Sequence, residues 1–311
     1  MQALTKPQII SVSRRTDVPA FYGEWFMNRL REGWAVNYNP YSHKASVVEL
    51  APEKVAAFVF WSKNFKPFLP YLDEIEARGY YAFFLFTITG LPRLWEPRVV
   101  DTAVAVETFR ELARRYGPER VSWRYDPILL TACTGFDYHI RTFTDLCRKL
   151  KGYTRRCYTS FVCMYPKVER RLMAVAKGPA KMLEGVGEGQ KRELAEELAQ
   201  IACEHGIELY SCCNDFLVGE KIKKAHCVDA DLICKYAGLD LGLYRVHPTR
   251  KGCGCYESVD IGMYDTCPHL CRYCYANTHE QVVLRNYRTY DSRSPLLRAD
   301  AETSLASDLK L

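Results

Sequence analysis

The sequence predicts an α/β protein in which about six strand–helix units form a partial barrel of the TIM type, followed by a cysteine-rich segment. Three observations support this prediction. The chain has 311 residues, 48% of them hydrophobic, which is enough apolar material for a buried core and excludes a disordered chain. Strand-like and helix-like segments alternate over the first two thirds of the chain, as in parallel sheets with helical crossovers. Cysteines, 14 in all, crowd into the last third.

The spacing of apolar residues predicts the elements in order. Alternating or continuous apolar runs predict strands, and apolar residues three and four positions apart predict helices. The predicted strands are residues 8–13, 58–61, 80–88, 121–125, 157–164 and 207–211, with a hairpin over 34–50. The predicted helices are 22–31, 68–77, 99–116, 140–150 and 194–201. We expect a barrel core over residues 1–218 and a cysteine-rich segment of short loops over 219–311, with an open doubly wound sheet as the alternative.

Charge and hydropathy limit the partners. The formal net charge is +6, a mild excess that keeps nucleic acid as a weak alternative partner only. No apolar stretch approaches the roughly 20 residues that cross a bilayer. The first 13 residues lack the apolar centre of a secretion signal. We therefore expect a cytoplasmic protein that does not bind a membrane.

Three cysteines in one short loop carry the strongest chemical signal. Cys267, Cys271 and Cys274 follow a CxxxCxxC spacing. Three thiolates can each bind one iron of a four-iron, four-sulfur cluster and leave the fourth iron open to a small molecule. Tetrahedral zinc is the alternative, although zinc sites usually draw on two pairs of ligands.

The triplet, with Tyr273 before its last cysteine, resembles the cluster motif of the radical S-adenosylmethionine superfamily. Three segments, residues 11–17, 123–127 and 258–277, are similar to an uncharacterised family, domain of unknown function 1848. In the superfamily, the cysteine loop follows the first strand of the barrel. Here the loop lies about forty residues from the end of the chain, so we expect it to fold back over the barrel mouth.

The resemblance implies an enzyme that binds S-adenosylmethionine at the open iron and cleaves it reductively. A one-electron donor such as flavodoxin or ferredoxin would reduce the cluster, and a 5′-deoxyadenosyl radical would abstract hydrogen from an unknown substrate. Tyr273 and Asn214 are the candidate cofactor-binding residues. The alternatives are an iron–sulfur protein for electron transfer or binding, and a protein of nucleic-acid repair or modification.

Further cysteines predict a second metal site. Cys213, Cys227, Cys253 and Cys255 could bind a second iron–sulfur cluster or a zinc ion. The sequence does not decide between Cys212 and Cys213, and buried cysteines also serve as small packing residues. Packing is the role expected for Cys147, Cys157 and Cys163, which lie on predicted helices and strands.

Polar residues at strand ends are the candidates for catalysis, because the loops after barrel strands carry active sites. Period-two alternation places Arg15 and Asp17 on one face of the first predicted strand, and Arg124 and Asp126 on one face of the fourth. The arginines could bind a carboxylate or a phosphate, and the aspartates a ribose or an amine. The alternative is a structural network of ion pairs.

Overall fold

A parallel sheet is the centre of the fold. The computed structural model describes residues 6–40, 42, 44–175, 177–178 and 181–298. Eight strands pair in the order β10-β1-β4-β5-β6-β7-β8-β9, and every pair of neighbours is parallel. These strands are β1 (Gln8–Val12), β4 (Val55–Ser62), β5 (Ala82–Thr87), β6 (Val121–Ile128), β7 (Arg156–Phe161), β8 (Glu208–Ser211), β9 (Ile222–Lys224) and β10 (Val259–Asp260). Separately, β2 (Trp34–Tyr38) and β3 (Ala45–Glu49) form an antiparallel hairpin.

Helices connect the strands. They are α1 (Val18–Phe21), α2 (Gly23–Glu32), α3 (Leu72–Ala77), α4 (Thr102–Tyr116), α5 (Phe136–Leu150), α6 (Pro166–Val175), α7 (Glu188–Glu204), α8 (Ala230–Ala237) and α9 (Glu280–Thr289). Short 3-10 turns cover Pro52–Lys54, Lys66–Tyr71, Asp215–Leu217 and Leu241–Leu243. Among the residues with a described structure, no helix is both long and apolar enough to cross a membrane.

Both faces of the sheet are covered, which explains why its strands are apolar almost throughout. On one face, here called the outer face, Phe58 and Phe60 of β4 belong to the main core, to which α2, α4, α5 and α7 contribute. On the opposite face, here called the inner face, Ala57 and Val59 of β4 pack with Ile233 of α8. A segment from the cysteine-rich region thus covers the inner face.

The predicted strands and hairpin are confirmed as β1, β4 to β8 and β2–β3. The predicted helices correspond to α2, α3, α4, α5 and α7, except that the start of 68–77 is a 3-10 turn with Pro70 inside it. The expectation of only short loops after residue 218 is wrong, because α8, α9, β9 and β10 lie there. The two strands have three and two residues, too few for any periodicity to appear.

The α/β class and the parallel sheet are confirmed, whereas closure into a barrel is not. Strands β9 and β10 are the outer strands of the order, and no ladder of hydrogen bonds joins them in the described parts of the chain. Because β9 and β10 come from the predicted segment 219–311 and pair with β8 and β1, that segment contributes to the sheet of the predicted core. The outer limits of the two predicted domains, residues 1–5 and 299–311, lie outside the described residues.

Candidate metal centre at the carboxyl edge of the sheet

Asp260 anchors the strand that leads into the cysteine triplet. Strand β10 is short, but Asp260 pairs with Ser11 in the parallel register of β1. Its carboxylate accepts hydrogen bonds from the hydroxyls of Ser11 at 2.8 Å and Ser13 at 2.5 Å, and from the backbone N–H groups of Arg14 at 2.8 Å and Gly262 at 3.0 Å. The chain therefore leaves β10 beside the carboxyl end of β1. The triplet reaches this edge as a direct continuation of a neighbouring strand.

The loop that carries the triplet is fixed by hydrogen bonds from its surroundings. Tyr22 donates its hydroxyl proton to the carbonyl oxygen of Thr266, and the Asn277 side chain donates to the carbonyl oxygen of Cys267 at 2.9 Å. The backbone N–H of Ala276 donates to Sγ of Cys274 at 3.3 Å. Leu270 turns the loop with a left-handed φ of 57°. These contacts hold the three cysteines on one rigid turn.

The three thiols are close to one another but not in contact. Cys271 is buried, and Cys267 and Cys274 are partly exposed. Burial raises the pKa of Cys267 and of Cys271. The negative charge of Cys274 raises both pKa values further, whereas the ammonium of Lys63 lowers that of Cys271. No hydrogen bond joins any two of these three described thiols. Such spacing suits a cluster, which spreads its cysteine ligands over separate irons.

Polar atoms without partners surround the loop. Arg171 donates to the carbonyl oxygen of Cys274, yet its Nε has no hydrogen-bond partner among the described residues. The same holds for Oδ1 of Asn277 and Oγ1 of Thr16, both buried. Buried polar atoms in folded proteins nearly always have a partner. Their presence next to the triplet, together with a soft thiol donor set, fits a site built to hold a cofactor.

A buried acid–base cluster lies beside the triplet. Glu96 accepts hydrogen bonds from Nζ of Lys63 and from the hydroxyl of Thr89, both at 2.8 Å, and from the hydroxyl of Tyr273. Burial lowers the pKa of Lys63, but the charges of Glu96 and Cys271 outweigh this effect and leave the pKa above its ordinary value. Lys63 is therefore a buried ammonium group held between a carboxylate and the cysteine loop.

The structure places Arg15 and Asp17 beyond the end of β1, each with its own partners. Arg15 donates to the carbonyl oxygens of Tyr38 at 2.7 Å and Gly262 at 3.3 Å. Asp17 accepts from the backbone N–H groups of Ala20 at 3.0 Å and Lys63 at 2.8 Å, and it pairs with Nε2 of His269 at 2.8 Å. Within the described residues, Arg15 and Asp17 do not pair with each other. Because β1 ends at Val12, strand alternation does not extend to these positions.

Arg124 and Asp126 lie within β6 and pair with each other, which is the contact that the structural alternative predicts. The Arg124 guanidinium contacts Asp126 and also donates to Sγ of Cys227 at 3.1 Å. It lies over the ring of Trp61, 5.0 Å from the ring centroid, and Arg14 lies over the same ring at 5.3 Å. Arg14, rather than the predicted Arg15, therefore stands with Arg124. Nε1 of Trp61 has no hydrogen-bond partner in the described part of the chain.

The two candidate cofactor-binding residues differ in their surroundings. Tyr273 lies inside the triplet, with Nζ of Lys63 5.8 Å from its ring centroid. Asn214 follows β8, and its Oδ1 accepts the backbone N–H of Phe161 at 2.8 Å. That bond ties the ends of β7 and β8 together and assigns Asn214 a structural contact.

The cysteines of the predicted second site are brought together. Sγ of Cys212 lies 3.7 Å from Sγ of Cys213 and 3.7 Å from Sγ of Cys227. Cys213 and Cys255 lie close enough to Cys253 to lower its pKa, and Cys227 is likewise a neighbour of Cys255. These residues are named here the five-thiol cluster. Over the described residues, no group of three or more Cys, His, Asp or Glu side chains is arranged to hold a metal ion.

The remaining cysteine predictions are mixed. Cys147 and Cys157 are buried in the main core, as expected. The packing role predicted for Cys163 is wrong, because this residue is exposed. Strand β7 ends at Phe161, two residues before it, and the chain there has already left the sheet.

Sequence reasoning missed three residues next to the thiols. Glu96, Arg171 and Arg250 lie in loops or on helix α6, outside any predicted strand end. Glu96 carried a signal, since it is the only acidic residue between Glu76 and Asp101 and stands next to the apolar Trp95, and acids that are buried are usually paired. Arg250 donates to Sγ of Cys213 at 3.0 Å, a contact for which the sequence offers no comparable signal.

A family model described as Domain of unknown function (DUF1848) matches residues 9–276. The matched region runs from β1 to the second residue after Cys274, so it contains the sheet, the five-thiol cluster and the triplet. No curated protein matches the sequence.

Proposed function

We propose a function for this chain, which belongs to the DUF1848 family: it is an iron–sulfur enzyme that cleaves S-adenosylmethionine reductively for radical chemistry on a substrate. Cys267, Cys271 and Cys274 would hold a four-iron, four-sulfur cluster with one open iron. When bound, the cluster supplies one electron to the sulfonium, which yields methionine and a 5′-deoxyadenosyl radical able to take hydrogen from the substrate. A flavodoxin- or ferredoxin-like donor would supply that electron.

The observation that carries the proposal is the position of the triplet. It comes late in the chain, yet it lies at the carboxyl end of β1 because β10 pairs with β1. The carboxyl edge of parallel strands is where α/β proteins hold their ligands. The strand order also supports a partial barrel, since the strands follow the chain from β1 to β9 and the last strand, β10, returns beside the first.

The chain's own residues would prepare the site. Tyr273 and Lys63, fixed by Glu96, leave the loop around Cys271 buried and exclude water from it. Arg14 and Arg124 lie over Trp61, whose N–H has no described acceptor. This pair of guanidiniums would bind a carboxylate of the substrate or of S-adenosylmethionine. A cytoplasmic location suits thiol ligands that must stay reduced.

The test is anaerobic reconstitution with iron and sulfide, followed by reduction and addition of S-adenosylmethionine. We expect about four irons at the triplet and release of 5′-deoxyadenosine. Cys271→Ala should lose both the cluster's visible absorption and the product, while far-ultraviolet dichroism is kept. Cys203→Ser, an exposed cysteine on α7, is the matched control and should behave as wild type.

Two outcomes would contradict the proposal. A fully loaded, reduced protein that releases no 5′-deoxyadenosine would favour the alternative of an electron-transfer protein. Zinc instead of iron at the triplet would exclude the radical chemistry altogether. Binding to nucleic acid that weakens steeply with salt would favour the alternative of a nucleic-acid repair or modification protein, because such binding releases counterions.

A further inference from the structure

The five-thiol cluster joins three separate parts of the chain. Cys212 and Cys213 follow β8, Cys227 precedes α8, and Cys253 and Cys255 lie in a loop before β10. Four of the five residues are buried, and Cys213 is partly exposed. Sγ of Cys212 is 3.7 Å from two other sulfurs, far beyond the length of a disulfide bond. The thiols are thus packed together but not oxidised.

Positive groups point at these sulfurs. Arg124 donates to Sγ of Cys227 at 3.1 Å, and Arg250 donates to Sγ of Cys213 at 3.0 Å. Backbone N–H groups add to them: that of Cys255 donates to Sγ of Cys253 at 3.4 Å, and that of Val228 to Sγ of Cys255 at 3.5 Å. Donors of this kind stabilise thiolates rather than thiols. Several thiolates in contact repel one another unless a cation lies among them.

The backbone of the loop that carries Cys253 and Cys255 is shaped for close approach. A Cβ on Gly252, whose φ is +74°, would come within 3.1 Å of the carbonyl oxygen of Cys213. A Cβ on Gly254 would come within 2.7 Å of the carbonyl oxygen of Ala225. Only glycine lets this loop bring Cys253 and Cys255 up to the ends of β8 and β9.

We propose that the five-thiol cluster binds one zinc ion, held by Cys227, Cys253, Cys255 and one sulfur of the Cys212–Cys213 pair. A tetrahedral zinc ion with Zn–S bonds of about 2.3 Å separates its sulfur ligands by about 3.8 Å. The distance of 3.7 Å between Sγ of Cys212 and Sγ of Cys227 matches that edge, with Cys212 as the ligand from the pair. The four sulfurs, which are not arranged around one point in the described residues, would close on the ion when it binds.

A contrast inside the molecule favours a single ion over a second iron–sulfur cluster. A cubane spreads its cysteines over separate irons and keeps their sulfurs apart. The described thiols of the triplet make no hydrogen bond with one another, whereas in the five-thiol cluster Sγ of Cys212 lies 3.7 Å from the sulfurs of both Cys213 and Cys227. A closed set of four sulfurs is typical of structural zinc. The ion would fasten the segment that carries α8 to the inner face of the sheet.

This proposal does not depend on the proposed function, and one set of measurements separates the two. Zinc and iron are counted per chain in protein purified anaerobically from cells supplied with both metals. We expect one zinc per chain in the wild type and in Cys271→Ala, which loses iron only. The double variant Cys253→Ser/Cys255→Ser should lose at least nine tenths of its zinc and keep the iron, and Cys203→Ser should keep both.

X-ray absorption at the zinc edge of the wild type provides a test that needs no variant to fold. We expect a first shell of sulfur alone at about 2.3 Å. The proposal is overturned if this shell contains mainly nitrogen or oxygen, if zinc stays in the double variant, or if wild-type protein carries iron and no zinc at these cysteines. If the wild-type preparation contains zinc but no iron, the proposed function is contradicted and the proposed zinc site is not.

Discussion

Replacement of Glu96 by Gln should destabilise the protein because it leaves the buried ammonium group of Lys63 without its counter-charge. Nζ of Lys63 lies 2.8 Å from Oε1 of Glu96, and the two side chains are only 13% and 5% exposed. Glu96→Gln keeps the size of the side chain and removes its charge. Loss of one partner from a buried ion pair costs about 3–5 kcal/mol of unfolding free energy. We expect a loss in this range at pH 7.

The double variant Lys63→Met/Glu96→Gln isolates the charge effect. Because it removes both charges, it should recover about 1–3 kcal/mol relative to the sum of the two single variants. The matched control is Asp145→Asn at the surface, where Lys149 donates to Asp145 at 2.6 Å but the two side chains are 47% (Asp145) and 43% (Lys149) exposed. That exposed pair should contribute no more than about 1 kcal/mol.

Urea unfolding followed by far-ultraviolet dichroism measures these free energies. A parallel assay follows the loss of iron to a chelator, which should be faster in Glu96→Gln because Glu96 fixes the hydroxyl of Tyr273 inside the triplet. A cost below about 1 kcal/mol for Glu96→Gln, equal to that of the surface control, would refute the reasoning. Strict additivity in the double variant would refute it as well.

Two further predictions concern stability alone. Burial lowers the pKa of His139 to about 4 from 6.5. As the pH falls, this imidazole is therefore protonated in the unfolded chain before it is protonated in the folded protein. The unfolding free energy should drop by about 3 kcal/mol between pH 6.5 and 4 because of this group. A titration of wild type against His139→Gln measures the difference, and identical pH profiles would contradict it. A Cβ on Gly262 would lie 2.1 Å from Oγ of Ser13, so Gly262→Ala should lose about 1–3 kcal/mol in urea unfolding. Gly189→Ala, with open space on α7, should lose nothing, and equal effects of the two changes would contradict the clash.

The long buried strands could be predicted from the sequence. The very short strands, and the positions of side chains that lie in loops, could not. The apolar run over residues 80–88 predicts β5 (Ala82–Thr87), because both faces of that strand are buried among aromatic and aliphatic side chains. Strand β10 has two residues, and no pattern of period two can appear in two residues. Its position depends on hydrogen bonds from Ser11 and Ser13 to Asp260, across about 250 positions of the chain. Such distant pairing leaves no local signal.

The candidate site shows the same division. The spacing of Cys267, Cys271 and Cys274 is local, so the triplet could be found by reading along the chain. Side chains beyond the end of a strand follow the loop instead of the pleat. That is why Arg14 lies over Trp61 beside Arg124, where alternation favoured Arg15. Glu96 and Arg250 reach their partners from loops whose path only the tertiary structure reveals.

The two groups of cysteines are neighbours in the fold through Arg250. Its guanidinium donates to Sγ of Cys213 and lies 5.8 Å from the ring centroid of Tyr275, the residue after Cys274. The loop that carries Cys253 and Cys255 also leads directly into β10, and β10 into the triplet. A metal at the five-thiol cluster would therefore restrict the path of the chain just before Asp260 joins β1. The segment before the triplet would then be held at two places, by the proposed metal and by the pairing of Asp260 with β1. A triplet that comes late in the sequence could therefore still form a precise site.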